Sequence, residues 1–121
     1  MGDEYCKFYL DFKDDEFLLI ELIEKFSEFQ KANSSSIELK HFEIFIRKND
    51  EFINGDKDFL FYKFILDIEK DSLSSIDQFI ASISNLLIYF WSLKIPCIAS
   101  CTFEEKLINN GGYCLDTEPW K

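Results

Sequence analysis

FLFYKFILDIE, residues 59–69, alternates strictly. Leu60, Tyr62, Phe64, Leu66 and Ile68 fall on one side, and Phe59, Phe61, Lys63, Ile65 and Asp67 on the other. A period of two in aromatic and β-branched residues predicts a strand. Apolar residues on both sides predict a central strand, with one face fully buried and the other partly covered.

Working toward the N-terminus, Glu4 to Lys13 repeats the pattern, with Cys6, Phe8, Leu10 and Phe12 opposed to Tyr5, Lys7, Tyr9 and Asp11. Asp14 or Asp15 can then cap a helix, with Glu16 in its first turn. Leu18, Leu19, Leu22, Ile23, Phe26 and Phe29 share a stripe at helical spacing, which carries the predicted helix to about Asn33; Phe17 and Ile20 fall outside it. Asn33 to Ser36 (NSSS) reads as a turn. Ile37 to Lys48 follows as a strand whose alternation changes phase near Lys40-His41, predicting a bulge on an edge strand.

Toward the C-terminus, Ser74 or Ser75 caps a second helix with Ile76, Phe79, Ile80, Ile83, Leu86, Leu87 and Phe90 on its inner face. Ile88, Tyr89 and Trp91 lie outside that face and Asp77 is the one charge before Lys94. This helix needs cover on a second side, from the C-terminal tail or from a partner. After Pro96, Cys97 to Phe103 is a short fourth strand, Glu104 to Leu107 a helical turn, and Asn109 to Gly112 a turn. The order β-α-β-β-α-β predicts an α+β, ferredoxin-like split βαβ sandwich: a four-stranded antiparallel sheet with strands one and three central and two helices on one face. The other face would carry Tyr5, Tyr9, Phe59, Phe61 and Ile65. The 121 residues suit one domain, residues 1–121, with a tail from about residue 107.

Hydrophobic residues make up 47% of the chain and aromatics 17%, including fourteen Phe, so the chain can bury a core. Twenty-three acidic against thirteen basic residues give a net charge of −10. That charge disfavours nucleic acid and anionic membrane and favours a basic partner. Aromatic strands resemble RNA-stacking sheets, but the companion Arg and Lys are missing. No apolar run reaches the ~18 residues of a membrane span. The opening MGDEYCKF has no apolar leader segment, and Cys6 stands where a myristoylation signal has Ser or Thr. Reduced cysteines (Cys6, Cys97, Cys101, Cys114) and a cytoplasmic location are expected.

No catalytic constellation accompanies the strands. His41 is the single histidine, with no nucleophile or carboxylate set beside it by sequence. Cys97 and Cys101 have C-x3-C spacing without a second ligand pair, and read as packed thiols rather than a zinc site. The clustered carboxylates read as solvated faces and helix-end charges. Neither an enzyme nor a cofactor is expected.

The runs Tyr5-Cys6-Lys7-Phe8-Tyr9-Leu10-Asp11-Phe12, Phe61-Tyr62-Lys63-Phe64-Ile65-Leu66-Asp67-Ile68-Glu69 and Ile98-Ala99-Ser100-Cys101-Thr102-Phe103-Glu104-Glu105 resemble the strands of small bacterial immunity proteins of contact-dependent growth inhibition and related polymorphic-toxin systems. The resemblance implies a cytoplasmic, non-enzymatic inhibitor that binds a cognate toxin domain, often a nuclease, and masks its active site or substrate groove. It transfers no site residue. From the residues themselves, the loop between the second and third predicted strands is the candidate contact: Glu51, Asp56 and Asp58 would steer a basic partner in a 1:1 complex, and Phe52 and Ile53 would anchor it. The alternative is a ligand-sensing or subunit domain of the same fold that homodimerises through its open sheet face.

Overall fold

A computed structural model describes residues 4–112 and 118–121. The chain is α+β: β1 (Tyr5–Leu10), α1 (Glu16–Glu24), β2 (Phe29–Ala32), β3 (Ile37–Leu39), β4 (Phe42–Lys48), β5 (Phe64–Lys70), α2 (Ile76–Ser92) and β6 (Cys97–Ser100). The strands form one antiparallel sheet in the order β2-β3-β4-β5-β1-β6. Six strands replace the four expected, because two segments divide differently from their hydrophobic pattern.

The first is the helix expected to reach Asn33. Asp15 caps α1, its carboxylate accepting from the Leu18 N–H at 3.0 Å, but the helix ends at Glu24. Phe29–Ala32 instead forms an edge strand on β3, turning at Asn33, whose N–H donates to the Ser36 carbonyl. Phe26 and Phe29 fit the helical stripe by spacing, yet strand pairing overrides local propensity here, as tertiary contacts often do. The second is Ile37 to Lys48. The phase change at Lys40-His41 is a reversal of the chain and not a bulge: Ile37 pairs with Ile44 and Glu38 with Glu43. A turn returns both apolar phases to the same face, where Ile37, Leu39, Phe42 and Ile44 are all buried.

β5 is central as expected, paired along its length with β4 and β1. It starts at Phe64 and not at Phe59. Phe59–Phe61 is a 3-10 turn capped by the Asp58 carboxylate, which accepts from the Leu60 N–H. A short acidic side chain that satisfies the next backbone donors competes with extension, and it leaves Leu60 45% exposed, against the alternation.

One sheet face is dry. Cys6, Phe8 and Leu10 of β1, Phe64, Leu66 and Ile68 of β5, and Cys97 and Ala99 of β6 are wholly buried. Both helices cover this face. Phe8 meets Phe90 edge-on, Phe42 meets Phe79, and the Tyr89 hydroxyl of α2 donates to the Leu22 carbonyl of α1 at 2.6 Å. α2 begins in a capping box, Ser75 accepting from the Gln78 N–H and Gln78 accepting from the Ser75 N–H.

The chain itself covers part of the second side of α2, leaving Ile88 44% exposed. Glu28, just past α1, accepts from Ser82 and Asn85; Phe103 packs on Phe79; and Ser84 accepts from the Ile108 N–H. Trp91 is buried with its indole N–H donating to the Cys97 carbonyl at 2.9 Å. Asn109 to Gly112 all have positive φ. A Cβ on Gly112 would stand 2.9 Å from the Cys97 carbonyl oxygen, so glycine lets this segment lie against β6. Among the described residues no helix is long and apolar enough to cross a membrane. Cys114 lies outside the described residues.

Candidate functional site

Leu10, Phe64 and Lys48 stand side by side in the sheet. The end of β1, the end of β4 and the start of β5 therefore meet at one end of the molecule. The β4–β5 loop and the β1–α1 connection leave from it. Lys63 ties them together, its ammonium donating to the Asp14 carbonyl at 2.9 Å.

Asn49 holds the loop. It is buried, its amide donates to the Leu60 and Tyr62 carbonyls at 2.8 Å each, and its side-chain oxygen accepts from the Glu51 N–H. The sequence marks Asn49 only as a loop former. Its anchoring role depends on carbonyls more than ten positions away. Ile53 N–H donates across the loop to the Phe61 carbonyl. Asp56 accepts from the Asp58 N–H, and Asp58 from the Leu60 N–H. These two acids therefore shape the loop as well as charge it.

The five residues singled out by sequence divide between two surfaces. Asp56 and Asp58 line a cleft of about 550 Å³ with Asp11, Lys13, Lys57, Tyr62, Ile98, Glu118, Trp120 and Lys121, in which Lys13 pairs with Asp11 at 3.3 Å and Lys121 with Glu118 at 3.2 Å. Burial, with Asp11 and Glu118 adding, pushes the Tyr62 hydroxyl up to about 12. Glu51, Phe52 and Ile53 lie outside the cleft lining, with Phe52 40% and Ile53 50% exposed. Three further apolar side chains join them at this end: Leu60, and Phe17 and Leu18 from the first turn of α1, where Phe17 is 70% exposed. Asp14, Asp15, Glu16 and Asp50 are exposed beside them in sequence. Phe17 carried a signal in the sequence, falling outside the helical stripe. Leu18 and Leu60 did not, since each fitted a pattern that the local cap interrupts.

The open sheet face is polar as well as aromatic. Tyr5, Tyr9 and Ile65 lie on it as expected, whereas Phe59 and Phe61 sit in the turn, Phe59 edge-on to Tyr9. Asp67 accepts from Arg47 at 2.7 Å and from the Tyr5 hydroxyl. Burial raises the Asp67 carboxyl, but these two hydrogen bonds outweigh it and hold the group below the usual carboxylate range. Burial and Asp67 push the Tyr5 hydroxyl up. One row of the sheet runs Glu38, Glu43, Glu69, each opposite the next. Carboxylates directly opposed across strands repel; Asn33 donates to Glu38 and Ser36 to Glu43.

His41 sits in the β3–β4 turn, its Nδ1 2.8 Å from the Ser74 hydroxyl. The contact pins the turn to the segment entering α2. Among the described residues no carboxylate is hydrogen-bonded to either side chain, and no group of three His, Cys, Asp or Glu could hold a metal ion.

No family model, curated protein or solved structure matches this chain.

Proposed function

We propose that this chain is a non-enzymatic immunity protein: it acts in the cytoplasm, binds one cognate toxin domain, and masks that domain's active site or substrate groove. The observation that carries this is the end of the sheet where Phe17, Leu18, Phe52, Ile53 and Leu60 are exposed, with Asp14, Asp15, Glu16 and Glu51 exposed beside them in sequence and Asp56 and Asp58 of the same loop lining the cleft. Apolar anchors supply affinity once desolvated, and a rim of one charge supplies speed and selectivity. A nuclease holds phosphates with a basic groove, so an acidic rim with a net charge of −10 behind it complements such a target. Within the same proposal, β4-β5-β1-β6 and the two helices are a ferredoxin-like split βαβ core, and β2–β3 is a hairpin inserted between α1 and β4.

Homodimerisation through the open face is disfavoured by the row Glu38, Glu43, Glu69, which a second copy would crowd with further carboxylates. The test is co-expression with the C-terminal domain encoded by the gene next upstream. The expected result is restored growth and a 1:1 complex. Unrelieved toxicity, or a toxin-free homodimer in sedimentation at micromolar concentration, would overturn the proposal.

A further inference from the structure

Cys6 and Cys101 flank one end of the β1–β6 ladder. The last paired rung is Lys7 with Ser100; Cys6 precedes it on β1, and Cys101 follows it where the chain leaves β6, its N–H donating to the Glu104 carboxylate at 2.9 Å. The two thiols lie close enough to shift each other, Cys6 upward and Cys101 downward. Their exposures differ. Cys6 and Cys97 are wholly buried, whereas Cys101 is half-buried and borders a surface recess of about 290 Å³ with Tyr5, Lys7, Ser100 and Thr102. The rung they flank has Cα atoms about 4.5–5.5 Å apart, and a disulfide spans roughly 4.4–6.8 Å. A bond between the two sulfurs would staple this end of the ladder.

We propose that Cys101 is a hydroperoxide-reactive thiol and that Cys6 is its resolving partner. The Cys101 thiolate attacks the outer oxygen of the hydroperoxide. The O–O bond breaks, the alkoxide leaves and takes a proton, and Cys101 becomes a sulfenic acid. Cys6 then gives up its proton and attacks the Cys101 sulfur; the S–O bond breaks, water leaves, and a disulfide forms. The two thiols lose two electrons, which reduce the hydroperoxide to an alcohol and water.

The division of roles follows from the surroundings. The neighbouring Cys6 thiol, helped by the Phe103 backbone, outweighs burial and the nearby Glu104 and Glu105 and holds the Cys101 thiol below its ordinary value. Burial pushes Cys6 well up, so it stays protonated and waits. Cys97 is wholly buried and stands opposite Leu10, and it has no part in the pair.

The experiment uses the full chain carrying Cys114→Ser, so that the described thiols are the ones present. Iodoacetamide is expected to label Cys101 at least about tenfold faster than Cys97 in the folded protein. Hydrogen peroxide should then produce a Cys6–Cys101 disulfide, seen by non-reducing peptide mapping as a linked pair lighter by two hydrogens. Adding Cys6→Ser should remove the disulfide and let dimedone trap the Cys101 sulfenic acid. Adding Cys101→Ser, at the half-exposed position, should abolish peroxide consumption in a chain that keeps its fold. Equal labelling of Cys101 and Cys97, a disulfide through Cys97, or undiminished peroxide consumption by the Cys101→Ser chain would overturn the proposal.

Discussion

Asn49 shows how one side chain can set the shape of a surface. Its amide satisfies two carbonyls of the returning chain in a buried setting. Replacing it with Ala leaves those carbonyls without their donor, at a cost of about 1–3 kcal/mol. Asn49→Ala is therefore expected to lower the urea midpoint and to make the β4–β5 loop the first site of proteolytic nicking. An unchanged midpoint and cleavage pattern would show that the loop holds its shape without the clamp. At Asp67 the relevant variable is pH. Its folded-state acidity is held below the ordinary carboxylate value, so its contribution is full above the unfolded value, near ~3.9. That contribution is lost as pH falls through the lower folded value. Urea titrations at decreasing pH should show Asp67→Asn flattening the acid limb below about pH 4 relative to the native chain. Arg47 is 48% exposed, so solvent screens the pair and the difference is modest. At this scale the sequence spoke only where a residue acts on its near neighbours: Asp15 and Ser75 were legible as caps, whereas Asn49 and the Cys6–Cys101 pair depend on strands that meet from opposite ends of the chain.

Among the elements, α1 best separates pattern from packing. Its nine residues present Leu19 and Ile23 wholly buried, while Phe17 and Leu18 face outward. Leu19→Ala is expected to cost about 2–5 kcal/mol, and Phe17→Ala to stay within about 0.5 kcal/mol. Comparable losses at both sites, measured by chemical denaturation, would mean that the helix sits in a different rotation. The segment from Asn109 to Gly112 against β6 gives a second case. Gly112→Ala meets the Cys97 carbonyl in a left-handed backbone, whereas Gly55→Ala has open space and only its positive φ to contend with. Gly112→Ala should be the more damaging of the two, and equal effects would contradict the packing of this segment on the sheet. The elements were legible wherever one period ran uninterrupted, as in β1 and in α2. They were misread where two short elements shared one pattern. Phe26 and Phe29 satisfy a helix stripe although a turn and an edge strand divide them. Ile37 to Lys48 looks like one irregular strand although it is a hairpin.

For the molecule as a whole, the surplus acid is unevenly useful. The row on the open face opposes carboxylate to carboxylate, while acids at the loop end stand beside exposed apolar side chains in sequence. Class, layer and central strands could be read from the chain because hydrophobic periodicity reports burial. The proposed docking end could be read only in part, since exposure of Phe17, Leu18 and Leu60 follows from where neighbouring elements stop. Asp56 and Asp58 hydrogen-bond the loop backbone, so reversing their charge would also unmake its shape. Amides keep an acceptor oxygen in place. The most direct measurement is therefore the association rate of the domain encoded by the gene next upstream, the proposed toxin, with the native chain and with the Glu51→Gln, Asp56→Asn, Asp58→Asn variant, at low and high salt. The native chain is expected to bind 1:1, with a rate that falls steeply with salt, and the variant to associate about tenfold more slowly at low salt with a flatter salt dependence. Absence of binding by the native chain, or identical rates and salt slopes for the two proteins, would contradict docking through this end of the sheet.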